Sequence, residues 1–177
     1  IIPEVVVAFA WSAFLDVDRG TFNAILSAVG LGKPDWLFDY PLLTIIIFNT
    51  WRGSAFSILL FSSALETIPP SYVETADVVG ASAWRKFRDI IFPLMRGHIL
   101  TDLILITLWT FNVFTPFLLT GGGPTYRTEL VSIYTYRTAF KFFEFGRGGA
   151  IAVVMMLINF TLAIGYLMTL RRQKAAS

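Results

Sequence analysis

Gly148-Gly149-Ala150-Ile151-Ala152-Val153-Val154-Met155-Met156-Leu157-Ile158-Asn159-Phe160-Thr161-Leu162-Ala163-Ile164-Gly165-Tyr166-Leu167-Met168-Thr169-Leu170 contains no Asp, Glu, Lys or Arg. A helix needs roughly 20 such residues to cross the hydrocarbon core of a bilayer. Lipid offers no partner for an unpaired backbone amide, so a segment of this kind must be helical. Residues 42–65 and 99–119 form two further runs of spanning length. Ile1–Leu15 is apolar but shorter, and the chain does not begin with Met. It is expected to be the end of a transmembrane helix that starts upstream, in a protein longer than these 177 residues. Composition agrees: 55% of residues are hydrophobic and 15% charged, against about 25% charged in a soluble domain, and mean hydropathy is +0.67. The fold class predicted is an all-α membrane protein, a polytopic helical bundle in one transmembrane domain over residues 1–177.

Other classes fall away. There is no cysteine, so disulfides and thiolate metal sites are excluded. The single histidine, His98, has no ligand cluster near it in sequence and reads as a polar residue at a helix end. A net charge of +2 with no basic stripe gives no footprint for nucleic acid. Gly30-Leu31-Gly32-Lys33-Pro34 has neither the spacing nor the Ser/Thr of a phosphate-binding loop. No nucleophile, carboxylate pair or metal cluster marks a catalytic site.

The runs imply four crossings ending near residues 15, 65, 119 and 170. Arg171-Arg172-Gln173-Lys174 follows the last, and the positive-inside rule puts this C-terminus in the cytoplasm. Loop 66–98 is then inside, and loops 16–41 and 120–147 are outside. Seven basic residues inside against six outside decide little, so the orientation rests on the tail. Gly121-Gly122-Gly123-Pro124 signals a turn. Beyond it, Leu130, Ile133, Tyr134 and Arg137 recur at helical spacing, predicting a short helix at the outer surface.

The inner loop is the informative one. Pro69-Pro70 ends the preceding span, and Ser71 with Glu74 forms a capping-box pattern. A helix is predicted over about 71–88, with Tyr72, Ala76, Val79, Ala83 and Phe87 as its apolar face and Gly80 in its middle. Such a helix, pinned between two spans, can dock in a partner's groove as a rigid knob or lie on lipid. Physics alone leaves both open.

Glu74-Thr75-Ala76, Gly80, Ile90 and Pro93 resemble the EAA loop of binding-protein-dependent ABC importer permeases. Thr75 and Phe92 depart mildly from that pattern. Leu119-Thr120-Gly121-Gly122-Gly123-Pro124 and Tyr134-Thr135-Tyr136-Arg137-Thr138-Ala139-Phe140 resemble the carbohydrate permeases of the maltose and glycerol-phosphate type. The resemblance implies the type I importer permease fold, with this chain covering the last four of six core helices. It implies a bacterial or archaeal inner membrane, a carbohydrate substrate, and four partners: two ABC ATPase subunits, a second permease chain and an extracytoplasmic sugar-binding protein. ATP and Mg would belong to the ATPase, with no cofactor on this chain. Glu74, Thr75, Ala76, Asp77, Gly80 and Ala81 would couple to the ATPase.

A sugar path needs hydrogen-bonding groups and flat aromatic faces. Asn49, Trp51, Gly53 and Phe56 in the 42–65 run, and Trp109 and Asn112 in the 99–119 run, supply that mixture. Helix–helix packing is the competing use for such residues. Arg52 and Asp102 are the most deeply placed ionisable groups in these runs and are expected to pair or to line water. A permease for another solute, a secondary transporter and a membrane scaffold remain as alternatives.

Overall fold

The computed structural model describes residues 3–176, with side chains through Arg171. All regular structure among them is helical: α1 (Glu4–Phe14), α2 (Thr21–Ala28), α3 (Pro41–Glu66), α4 (Pro70–Val78), α5 (Ala83–Phe111), α6 (Pro116–Thr120), α7 (Val131–Tyr136) and α8 (Phe145–Ala176). Single π-helical segments occur at Phe87–Ile91 within α5 and at Arg137–Lys141 after α7. Three stretches are long and apolar enough to cross a membrane: Pro41–Glu66, Ala83–Phe111 and Phe145–Arg171. Only 6% of the most apolar window of α8 is buried within the chain. Val153, Val154, Leu157, Phe160, Ile164 and Leu167 are each about half exposed or more. Apolar surface left in water costs about 25 cal/mol per Å², so these faces require lipid or another subunit.

The chain divides into two compact units. The first comprises the residues up to Trp51 and Thr110–Ile158. Its core is Ala8, Phe48 and Leu119, with Val7, Trp11 and Leu37 packed around it. Glu4 suits the positive first turn of α1 and also accepts a hydrogen bond from Thr115 Oγ1. After α1, Asp16 Oδ1 accepts from Asp18 N (3.1 Å) and Arg19 N (2.8 Å), making an Asx turn. Fully buried Asn23, on α2, ties loop 16–41 together. Its Nδ2 donates to Pro34 O (2.9 Å) and Val17 O (3.3 Å), and its Oδ1 accepts from Trp36 Nε1 (2.9 Å). Both amide hydrogens and one carbonyl lone pair are used, which is what lets it sit at zero exposure.

The second unit comprises Arg52–Trp109 and the chain from Asn159 onward. Small and hydroxyl side chains set its packing. A Cβ on Gly53 would lie 3.4 Å from Trp109 Cζ3 and 3.6 Å from Ile106 Cδ1, ordinary contact distances, so α5 side chains pack against α3 at this point. Ser57 Oγ donates to buried Asp102 (2.9 Å), and the Thr107 and Tyr166 hydroxyls lie 3.1 Å apart.

The structure moves three boundaries. The run 99–119 is not one crossing: α5 starts at Ala83 and ends at Phe111, Asn112 turns, and Pro116 opens the separate α6. Pro116 has no N–H to donate to the carbonyl of residue 112 and is at home in a helix's first turn, so the apolar run breaks ahead of it although its hydropathy does not. The non-helical part of loop 66–98 correspondingly ends at Ser82. His98 is an exposed residue inside α5, not at a helix end.

Candidate functional site

The segment expected to couple to an ATPase lies in the second unit and differs from a continuous helix over 71–88. Pro70 occupies the first turn of α4, the N-cap is Pro69, and no side chain caps it. A proline there needs no amide partner and is preset in φ, so it displaces Ser71 from the cap. Ser71 instead offers its carbonyl to Thr75 Oγ1 at 2.7 Å. Glu74 therefore has no capping role; it is exposed and makes no hydrogen bond or ion pair among the described residues.

Gly80 is not mid-helix. It has φ +70° and ends α4 in a Schellman motif, with Ala81 N donating to Ala76 O (2.9 Å) and Gly80 N to Asp77 O (3.0 Å). Only glycine reaches that left-handed conformation at no steric cost. Ser82 then N-caps α5, its Oγ accepting from Arg85 N at 3.4 Å. A 2.6 Å ion pair from Lys86 Nζ to Asp77 Oδ1 ties the start of α5 to the end of α4. The break also dissolves the single apolar face. Ala76 alone is buried; Tyr72, Val79 and Phe87 are 52%, 76% and 46% exposed, and Ala83 is exposed. Val78 and Trp84 add 87% and 67% exposure beside the turn. Between α4 and α5 runs a groove of about 520 Å³, whose lining includes Thr75, Ala76, Ala81, Lys86 and Asp89. The result is a rigid apolar corner with a charged flank.

The expected path residues divide. In the first unit, Asn49 Nδ2 donates to Thr110 Oγ1 at 3.3 Å, while its Oδ1 is closed off from solvent with no hydrogen-bond partner. Trp51 packs 5.5 Å from Trp11, yet is 55% exposed. Asn112 is exposed in the turn after α5. In the second unit, Trp109 lies over Gly53 and under the Arg52 guanidinium, whose Cζ is 4.3 Å from the indole centroid. Phe56 is 45% exposed. Asp102 is held by Ser57, one and a half turns along α3 from Arg52.

Residues 1–175 match the family described as the binding-protein-dependent transport system inner membrane component. The chain belongs to this permease family. It is 35% identical over 170 residues to the sulfoquinovosyl glycerol transport system permease protein of Agrobacterium fabrum, covering 92% of this chain and 53% of that protein. It is 31% identical over 170 residues to the trehalose/maltose transport system permease protein of Thermococcus litoralis, covering 94% and 57%. The chain thus spans about half the length of the curated relatives it matches. Its fold is that of a bacterial ABC transporter involved in import of the acidic polysaccharide alginate, with TM-score 0.86 at 24% identity over 97% of this chain and 62% of that one.

One constellation of this permease escaped the sequence reading, although its residues stand in the Gly-Gly-Gly-Pro and Tyr-Thr-Tyr-Arg stretches. In the first unit, Arg137 Nη2 donates to Gly121 O (3.0 Å), Nη1 lies 2.9 Å from Glu129 Oε1, and Cζ sits 4.7 Å from the Tyr126 ring centroid. Gly122 has φ +88°, the left-handed region that favours glycine, and a Cβ there would also come within 2.8 Å of Arg137 Nη2 where the guanidinium crosses the loop. Buried Thr128 donates to Gly123 O (2.7 Å), and its hydroxyl meets that of Thr120 (2.7 Å). Farther on, a Cβ on Gly148 would lie 2.7 Å from Ala139 Cβ, which lets the start of α8 press on the π segment. The Arg137 and Glu129 side chains are 11% and 16% exposed, so removing one strands the other at a cost of about 3 kcal/mol. Arg137→Met should therefore lower the thermal midpoint of the detergent-solubilised protein. The double variant Arg137→Met, Glu129→Leu should recover much of the loss, and thermal unfolding of both is the check.

Proposed function

We propose that this chain is the membrane-spanning subunit of an ATP-driven importer for a sugar or oligosaccharide, with its C-terminus in the cytoplasm. The observation that carries the proposal is the Gly80 corner, where a family-pattern glycine terminates α4 and leaves Val78, Val79 and Trp84 exposed. An apolar knob held rigid by a Schellman turn and an ion pair is suited to dock in a cleft. Its partner would be an ABC ATPase subunit, present in two copies and holding ATP and Mg. In the assembly, Glu74, Thr75, Asp77, Gly80 and Ala81 form the coupling surface, with buried Ala76 supporting it from beneath. A second permease chain would complete the path, and an extracytoplasmic sugar-binding protein would deliver the substrate. The carbohydrate class is supported by the named substrates of the two relatives above.

Of the path candidates, Asn49 and Asn112 offer hydrogen bonds and the half-exposed Trp51 and Phe56 offer flat faces. Gly53 and Trp109 pack against each other within the second unit. The transporter is tested by purifying the chain in mild detergent with whatever subunits accompany it, and reconstituting the assembly in vesicles. ATP-dependent uptake of a labelled oligosaccharide is expected, requiring the binding protein. The isolated, pure chain should hydrolyse no ATP; specific hydrolysis by it would end this proposal. Uptake driven by an ion gradient without ATP would assign a secondary transporter instead.

A further inference from the structure

At the N-terminal end of α3, in the first unit, a groove of about 370 Å³ is lined by Asp39, Tyr40, Leu42, Leu43, Ile46 and Arg127, together with Pro41. Tyr40, Leu42, Leu43 and Ile46 are about half exposed, whereas Thr44, Ile45 and Phe48 on the other side of α3 are buried. The exposed stripe thus leads up a spanning helix to an opening that carries one acid and one base. The Arg127 guanidinium makes no hydrogen bond or ion pair among the described residues. Asp39 Oδ2 accepts from Asp35 N at 3.0 Å, and no partner engages Oδ1. Tyr40 and Trp36, with ring centroids 5.7 Å apart, are the amphipathic aromatics that settle at headgroup depth.

We propose that this groove binds one phospholipid whose headgroup bears a primary ammonium, as in phosphatidylethanolamine. Arg127 takes the phosphate with its planar fork of donors, the Asp39 carboxylate accepts from the ammonium, and the first methylenes lie along Leu42, Leu43 and Ile46. A neighbouring apolar helix would cover the same stripe but would desolvate Asp39 and Arg127, which form no ion pair with each other, at a cost. A zwitterion satisfies both. A trimethylammonium headgroup has no N–H for Asp39, and an anionic glycerol headgroup sets its hydroxyls, not a cation, against the carboxylate.

The test uses the full transporter assembly in mild detergent, titrated with phosphatidylethanolamine, phosphatidylcholine or phosphatidylglycerol of matched chains and followed by native mass spectrometry. Phosphatidylethanolamine should be retained about tenfold better than either of the others, the worth of one charge-assisted hydrogen bond. Arg127→Gln should lower its retention by a similar factor, and Asp39→Asn should erase its advantage over phosphatidylcholine. Both side chains are exposed, and the wild-type comparison needs no variant to assemble. Equal retention of phosphatidylethanolamine and phosphatidylcholine, or unchanged retention in Arg127→Gln, overturns the proposal. So does a photoreactive residue at Leu43 that cross-links to another subunit and not to lipid.

Discussion

Gly80→Glu is expected to abolish ATP-dependent uptake, while Gly80→Ala and Gly80→Asn leave most of it. Gly80 has φ +70°, so any Cβ strains the turn, by about 1–2 kcal/mol in the left-handed region. Asparagine tolerates that region better than other non-glycine residues. A Cβ built on Gly80 meets no atom within 4 Å, so the chain itself does not exclude a long side chain there. The internal cost of alanine and glutamate is therefore nearly the same. What glutamate adds is bulk and charge on the outside of the corner, where only a partner can feel it. Uptake is measured in vesicles and normalised to assembled complex. If Gly80→Glu transports like Gly80→Ala, the corner docks nothing. Glu74→Lys belongs to the same experiment and is cleaner than a capping-box glutamate would allow. Glu74 caps nothing and pairs with nothing among the described residues, so the reversal should leave α4 intact and lower uptake through the docked partner.

The spans were legible because a lipid-crossing helix announces itself by composition alone. α3 and α8 start and stop within a few residues of the apolar runs 42–65 and 148–170. The start of α5 was hidden because Arg85, Lys86 and Arg88 fall at the end of the helix predicted over 71–88, whereas with Asp89 they sit on the first turns of α5. Its end was hidden because Val113 and Phe114 continue the apolar run past the Asn112 turn. Gly80 was recognised as special for a family reason and placed mid-helix. The backbone shows why glycine is needed, since α4 can stop there only in a left-handed residue. The Asn23 knot left no trace in the pattern because two of its three partners are backbone atoms, Val17 O and Pro34 O. The Arg137 crossing of the Gly121–Gly123 loop was equally silent. It joins positions 16 apart by a side chain on a carbonyl, which no periodicity records.

Asn49→Leu together with Asn112→Leu should depress uptake strongly while the complex still assembles. Asn49 presents one half-used amide: Nδ2 reaches Thr110 Oγ1, and Oδ1 is shielded without a donor. Oδ1 is out of a sugar's reach, but the second Nδ2 hydrogen has no partner among the described residues, and a sugar hydroxyl is the kind of acceptor that would take it. Asn112 is exposed in the turn after α5. Losing a hydrogen-bonding group from a polar site costs about 1–3 kcal/mol where it strands a partner, roughly five- to 150-fold in rate or affinity. Thr110 is exposed, so leucine at position 49 strands nothing inside the protein, and the penalty must come from the substrate side. Helix packing alone would produce a different outcome. Leucine in place of a packing asparagine would weaken assembly, and whatever complex survived would transport normally. Uptake per assembled complex, measured over a range of sugar concentrations, separates the two. A double variant with wild-type normalised uptake would remove Asn49 and Asn112 from the path and leave the Gly80 corner, in the other unit, untouched as the coupling surface.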